Sequence, residues 1–188
     1  MIHSLKTLNY GEKEICYTGH ELAPHWIYKT FDLKGDSLVA FQGPADVSLD
    51  KMVDLEDVKR KAPIGSPKML HFLAEFFIDS LDEGVLLQHL FVFEVYEALL
   101  QRSPKNLRRR GNDLYFKDRK LSVSIATKSL ISVLMHFAIN IETAGTPVPT
   151  AGLLELGVDP KPFAEEILGK FGDDLQVWAN SRIKVSPR

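Results

Sequence analysis

The chain has 188 residues, 45% hydrophobic and 26% charged, long enough to bury a substantial core and short enough to form one domain. Its formal net charge of -2 excludes a surface committed as a whole to nucleic acid, so any polyanion site must be a local patch. The single cysteine, Cys16, excludes an internal disulfide and any multi-cysteine zinc or iron-sulfur centre, and fits a reducing, cytoplasmic setting.

The N-terminal MIHSLKTLNYGEKE lacks the apolar core of a signal peptide. The first third then reads as short β-prone runs at 14–18, 26–31 and 37–42, separated by Gly19, Pro24 and Lys34-Gly35-Asp36. Gly43-Pro44-Ala45-Asp46 ends the third run, and Asp54-Leu55-Glu56-Asp57-Val58 predicts a short helical turn. Ser66 before Pro67 has the form of a helix start, with serine at the N-cap and proline at the first helical position. The spacing of Leu70, Leu73, Ala74 and Phe77 predicts a helix over 67–78.

A second helix is predicted over 81–101. Its most apolar part, 85–100, is interrupted by Gln88, His89, Glu94 and Glu97 and is shorter than the roughly 20 residues a bilayer needs. It is read as a core helix packed on more than one side, and no membrane association is expected. Beyond Ser103-Pro104-Lys105-Asn106, Asn112-Asp113 precedes the apolar Leu114-Tyr115-Phe116. The loop Lys117-Asp118-Arg119 turns the chain, and Lys120 opens an alternating strand over 120–126. Such a hairpin brings Asp113 and Lys120 together. A further strand is predicted over 131–141, a loop over 143–150, and a helix over 161–171 started by Asp159-Pro160. The basic tail after Asn180 is expected to be loosely held.

The residues of this middle region suggest a site for an anionic, phosphate-bearing or acyl ligand. Lys120 is either a strand-borne ammonium that holds a carboxylate or phosphate oxygen or a strand-start lysine in water. Asp113, oriented by Asn112, is either a magnesium ligand or part of an Asx turn. Arg109 and Arg110 could clamp an anion bidentately or be solvated. His136 and Asn140 share one strand face, and a histidine among Leu134, Met135 and Phe137 is either a core residue or a catalyst. His71 and Glu75 alone do not make a metal site, and no metal is assigned.

Two motifs carry a family resemblance. Asn112-Asp113 followed by Lys120-Leu121-Ser122 resembles the Asn-Asp and Lys-Leu/Ile-Ala/Ser-Gly elements of biotin and lipoate protein ligases. His136-Phe137-Ala138-Ile139-Asn140-Ile141 resembles the His-Gly-aliphatic-Ala-Leu-Asn-Val strand of lipoyl (octanoyl) transferases. The whole chain, with GPADV, MVDLEDV and MLHFLAEFF, is similar to an uncharacterised prokaryotic family, a domain of unknown function, grouped with that superfamily. The resemblance implies one α/β (α+β) domain over residues 1–188, a mixed, largely antiparallel sheet flanked by helices, of the kind also seen in class II aminoacyl-tRNA synthetases.

The resemblance further implies Lys120 and His136 as catalytic residues and Arg109, Arg110, Asn112, Asp113 and Asn140 as ligand-binding ones. The ligand would be a small carboxylate or a nucleotide, with ATP and magnesium as cofactors of a ligase, an acyl-carrier protein as partner, and a homodimer as the assembly. The chain departs from the pattern twice. It has no Gly-Arg-rich loop in its first half, where Gly43 is the nearest glycine, and Pro149-Thr150-Ala151-Gly152 stands where the octanoyltransferases carry Pro-Cys-Gly. Three readings follow: an acyltransferase working through an acyl or adenylyl intermediate, a non-catalytic binding module for a nucleotide or a biotin- or lipoate-like ligand, and an RNA-binding face over residues 108–120. The last is the weakest, because only Tyr115 and Phe116 interleave with the basic residues.

Overall fold

Two strands buried on both faces organise the molecule, with further strands added at their edges and helices packed on their faces. In the computed structural model, which describes residues 4–61, 64–102, 105–144 and 149–186, these are β3 (Ile64–Phe76) and β8 (Val133–Glu142), an antiparallel pair. Outward from them lie β2 (Ser37–Val47) and β1 (Lys6–Tyr10) on one side and β7 (Ser122–Lys128) on the other, giving a five-stranded sheet in the order β1-β2-β3-β8-β7. Only β1 and β2 pair in parallel, so the sheet is mixed and largely antiparallel. β4 (Leu107–Arg110), β5 (Asp113–Phe116) and β6 (Arg119–Lys120) form a separate three-stranded sheet.

The side-chain alternation of the central strands sorts the interior into two parts. Leu70, Phe72, Ala74 and Phe76 of β3, with Met135, Phe137 and Ile139 of β8, face α3 (Leu81–Arg102) and α4 (Pro160–Ile183) in the main core. Phe91 meets Phe171 edge to face, their ring centres 5.1 Å apart. The opposite face carries a smaller cluster of Tyr17, Val39, Phe41 and Leu73 covered by α1 (Trp26–Phe31). On that face the central strands also present His71, Glu75, His136 and Asn140, all buried.

The predicted helix over 67–78 is a strand. Because β3 is buried on both faces it shows no polar alternation, and its apolar residues mimic a helical stripe by coincidence. Pro67 lies where the pairing shifts register, between Ala45 and Gly43 of β2 and beside Lys68 and Met69 on the β8 side; an irregularity of this kind tolerates a residue without an N–H. Ser66 Oγ lies 3.1 Å from Asn140 Oδ1, to which it donates, and caps nothing.

β2 likewise runs through Gly43-Pro44 to Val47 with a bulge where a break was expected. The run at 26–31 is α1, a helix, because the buried Glu75 carboxylate accepts the His25 N–H at 2.9 and 3.0 Å and Asp32, left-handed at φ 56, closes it by donating to the Tyr28 carbonyl. The run at 14–18 contributes one parallel bridge, Tyr17 with Ala45.

The expected short turn at 54–58 is α2 (Leu55–Arg60), capped by the Asp54 carboxylate. α3 and β8 form where the pattern placed them. The strand expected over 120–126 is divided: Leu121 donates to the Leu114 carbonyl at 2.8 Å and its carbonyl accepts from Asn140 N at 3.0 Å, so the chain passes from the small sheet to the large one at this residue. β4 adds a strand that the pattern did not foresee. α4 starts at its Asp159-Pro160 signal but continues to Ile183, so the residues just after Asn180 are helical. Gly145 and Pro147 of the expected loop lie outside the described residues.

Candidate functional site

The hairpin of β5 and β6 pairs Tyr115 with Lys120, which makes Asp113 a diagonal neighbour of Lys120. Their side chains form an ion pair at 3.0 Å. Leu114 N donates to Ser122 Oγ at 2.9 Å, and Asn112 Nδ2 donates to the Ser124 carbonyl at 3.3 Å, fastening the small sheet to the start of β7. The rigid corner so formed is one lip of a cleft of about 270 Å³.

Val123 and Ile125 of β7 make one wall. The facing wall comes from Val47, Met52, Val53 and Ile64 with the polar residues of the segment between β2 and β3, and Tyr17 and His136 form the floor. The volume is close to the lower end of the roughly 300–1,000 Å³ usual for small-molecule sites.

Charge in the cleft is balanced locally. Lys51, Arg60 and Lys120 are set against Asp54, Glu56, Asp57 and Asp113. Arg60 is tied to Glu56 at 2.9 Å and Lys51 to Asp50 at 3.5 Å. Burial raises the Asp113 carboxyl above its ordinary range, against the pull of Lys120 and with help from Asp57.

The floor is aromatic. The Tyr17 ring lies over His136 at 3.7 Å between centres and 13° between planes. His136 Nε2 is 3.1 Å from His71 Nδ1, and His71 Nε2 is 3.1 Å from the Gly43 carbonyl. Burial lowers the His71 imidazole to about 4 and His136 well below its ordinary value, so both are neutral at pH 7.

Of the residues singled out in the sequence, the structure brings Asn112, Asp113, Lys120 and His136 to this one cleft. Asn140 is buried away from it, hydrogen-bonded to Ser66 and to the Ala151 carbonyl at 3.2 Å. Arg109 is exposed and donates to the Gly111 carbonyl at 3.0 Å, and Arg110, also exposed, faces Asp118 at 3.7 Å. Neither lines the cleft. Cys16 sits beside Tyr17 in the chain but is not a lining residue, and burial with Asp46 and Glu21 raises its thiol. The segment at Pro149-Thr150-Ala151 does run beside Lys120, with Ala151 N donating to the Lys120 carbonyl at 3.0 Å. Among the described residues no cluster of three or more histidine, cysteine or acidic side chains has the geometry of a metal site, and no helix is long and apolar enough to cross a membrane.

Sequence reasoning missed Tyr17, took up His71 only as half of a metal pair with Glu75, and missed the wall at 47–57. The last two carried a signal: with a two-residue period His71 and Glu75 share a face, and Asp54 followed by Glu56-Asp57 marks a capped turn. Tyr17 carried none.

An uncharacterized protein of Methanocaldococcus jannaschii is 42% identical over 148 residues, 76% of this chain, and the match spans 66% of that relative's length. A protein of unknown function from Pyrococcus horikoshii superposes with a TM-score of 0.93 at 34% identity, covering 98% of this chain and all of the other. The biotin protein ligase of Aquifex aeolicus, as a point mutant in complex with biotin, superposes at 0.58 with 19% identity over 94% of this chain and 71% of that one. A likeness at that identity shows a shared fold. Residues 7–186 match a family model described as a domain of unknown function (DUF366); the chain belongs to that family and has the fold seen in biotin and lipoate protein ligases.

Proposed function

We propose that the cleft binds a small carboxylic acid of the acyl type, with the carboxylate at Lys120 and the apolar body along Val123 and Ile125. The observation that carries this reading is the Lys120–Asp113 pair at 3.0 Å on the lip of a cleft with apolar walls. A lysine fixed by a hairpin and held close to a partly buried carboxylate is a point charge that an incoming carboxylate can share or capture. The biotin-bound ligase of the same fold supports a ligand of this class.

Binding without ATP-driven activation fits the lining better than ligase chemistry does. Every cleft cation already has a carboxylate partner, Arg109 and Arg110 lie elsewhere, and the wall at 49–60 carries one arginine in place of a Gly-Arg-rich loop. A triphosphate would meet four carboxylates against three cations. Among the described residues the cleft also offers no thiol to accept an acyl group.

Calorimetry on the full chain with biotin, lipoate and octanoate, each with and without ATP and magnesium, tests the reading. Carboxylates are expected to bind without nucleotide, and Lys120→Ala is expected to weaken them at least tenfold, since hydrogen bonds to charged groups contribute about 1.5–3 kcal/mol. Absence of binding by every carboxylate in either condition overturns it. Pyrophosphate release with any acid would restore the ligase reading.

A further inference from the structure

The hydrogen bonds beneath the cleft fix which proton each histidine carries. The Gly43 carbonyl can only accept, so the neutral His71 bears its hydrogen on Nε2 and a lone pair on Nδ1. His136 Nε2, facing that lone pair at 3.1 Å, must then donate. One neutral imidazole has one N–H, and His136 Nδ1 is left with a lone pair and no protein partner among the described residues. The buried polar side-chain atoms without a partner there are Ser37 Oγ and Glu94 Oε2, so Nδ1 is not sealed in the interior but opens on the cleft that the ring borders. Tyr17 covers a face of the ring and leaves its edge, where the lone pair lies, for a ligand.

We propose that the deep end of the cleft selects a ligand whose head group carries a polarised hydrogen, an N–H or O–H, accepted by His136 Nδ1. This deepens the carboxylate reading and rests on it, with Lys120 at one end of the ligand and His136 at the other. His71 acts as a positioning residue: through its bond to Gly43 it orients the His136 tautomer and touches no ligand. A cyclic urea or amide meets the requirement. A plain alkyl chain or a dithiolane ring presents only C–H and leaves the nitrogen unpaired, which is what an apolar-ended acid would have to overcome.

Long-range proton–nitrogen correlation NMR on the full chain, labelled at histidine nitrogen, tests this with three probes. 2-Imidazolidinone supplies ring N–H groups, cyclopentanone has the same ring without them, and hexanoate supplies only a carboxylate and an alkyl chain. In the free protein at pH 7 His136 is expected to be protonated on Nε2 alone. Imidazolidinone is expected to shift Nδ1 towards the protonated range, and cyclopentanone to leave it in place. His136→Phe is expected to weaken biotin about tenfold more than it weakens hexanoate, tenfold being the upper worth of one neutral hydrogen bond. A free protein protonated on Nδ1 overturns the proposal, as does an equal response to ketone and urea, or none to either. Hexanoate reports separately on Lys120: if it fails to bind, the carboxylate reading fails, whereas an Nδ1 that imidazolidinone does not move, in a protein that binds hexanoate, sinks the head-group proposal alone.

Discussion

Asp113 decides how much of the Lys120 charge a ligand sees. Two partly exposed partners at 3.0 Å contribute on the order of 1 kcal/mol or less to folding, so their pairing says more about the cleft than about stability. Asp113→Asn keeps shape and hydrogen-bonding capacity and removes the competing charge. Hexanoate is then expected to bind roughly fivefold more tightly by calorimetry, with the unfolding free energy changed by no more than about 1 kcal/mol. Weaker binding would mean that Asp113 orients the lysine instead of masking it. This pair was legible in the sequence because a hairpin with a short loop makes the two residues neighbours whatever the rest of the chain does. Tyr17 over His136 was not: that stack joins an irregular segment to a central strand, and nothing local in either marks the other.

At the scale of elements, the same signal had opposite outcomes. Asp159-Pro160 starts α4, with the Asp159 carboxylate accepting from Lys161 N at 3.0 Å, whereas Ser66-Pro67 lies inside β3. Downstream context separates them: α4 keeps a polar face, while β3 from Met69 to Phe76 is buried throughout, and a short run buried on both sides has no period to read. α3 was legible for the opposite reason, being too long for a strand.

The α3–α4 contact also holds Glu94, whose carboxyl burial and Asp174 raise from 4.5 to about 7 against the opposing pull of Lys170. Lys170 approaches Glu94 Oε2 at 3.4 Å but donates to Glu97 at 2.7 Å, and Glu94 Oε2 has no hydrogen bond. The folded chain therefore keeps a proton that the unfolded chain gives up. The stabilising effect is complete below about pH 4.5 and is lost as pH rises through about 7. Glu94→Gln removes this dependence. It is expected to stabilise the fold by about 1–3 kcal/mol at pH 8 and to change little at pH 4.5, read by urea denaturation at the two values. Equal effects at both would mean that the carboxyl titrates normally.

For the molecule as a whole, the sheet divides labour between its faces. The helix side is a hydrocarbon core in which Phe171 is buried against Phe91 and Phe76, and no residue of α4 lines the cleft. The other side holds the histidine pair, Glu75 and Asn140, polar groups that a sheet built only for stability would not bury. If recognition belongs to that side alone, damage to the core should lower stability without altering affinity. Phe171→Ala removes a buried ring at a cost of about 3–5 kcal/mol, a drop of roughly 6–20 °C in melting temperature for a chain of this size. Since small proteins are stable by about 5–15 kcal/mol, the variant should remain folded at 25 °C and bind the same carboxylate with an unchanged dissociation constant. Lys120→Ala should do the reverse, losing affinity at nearly constant melting temperature. Calorimetric titration and thermal denaturation of the two variants side by side separate the faces; a folded Phe171→Ala that binds markedly more weakly would show that packing on the helix side reaches through β8 to set the geometry of His136.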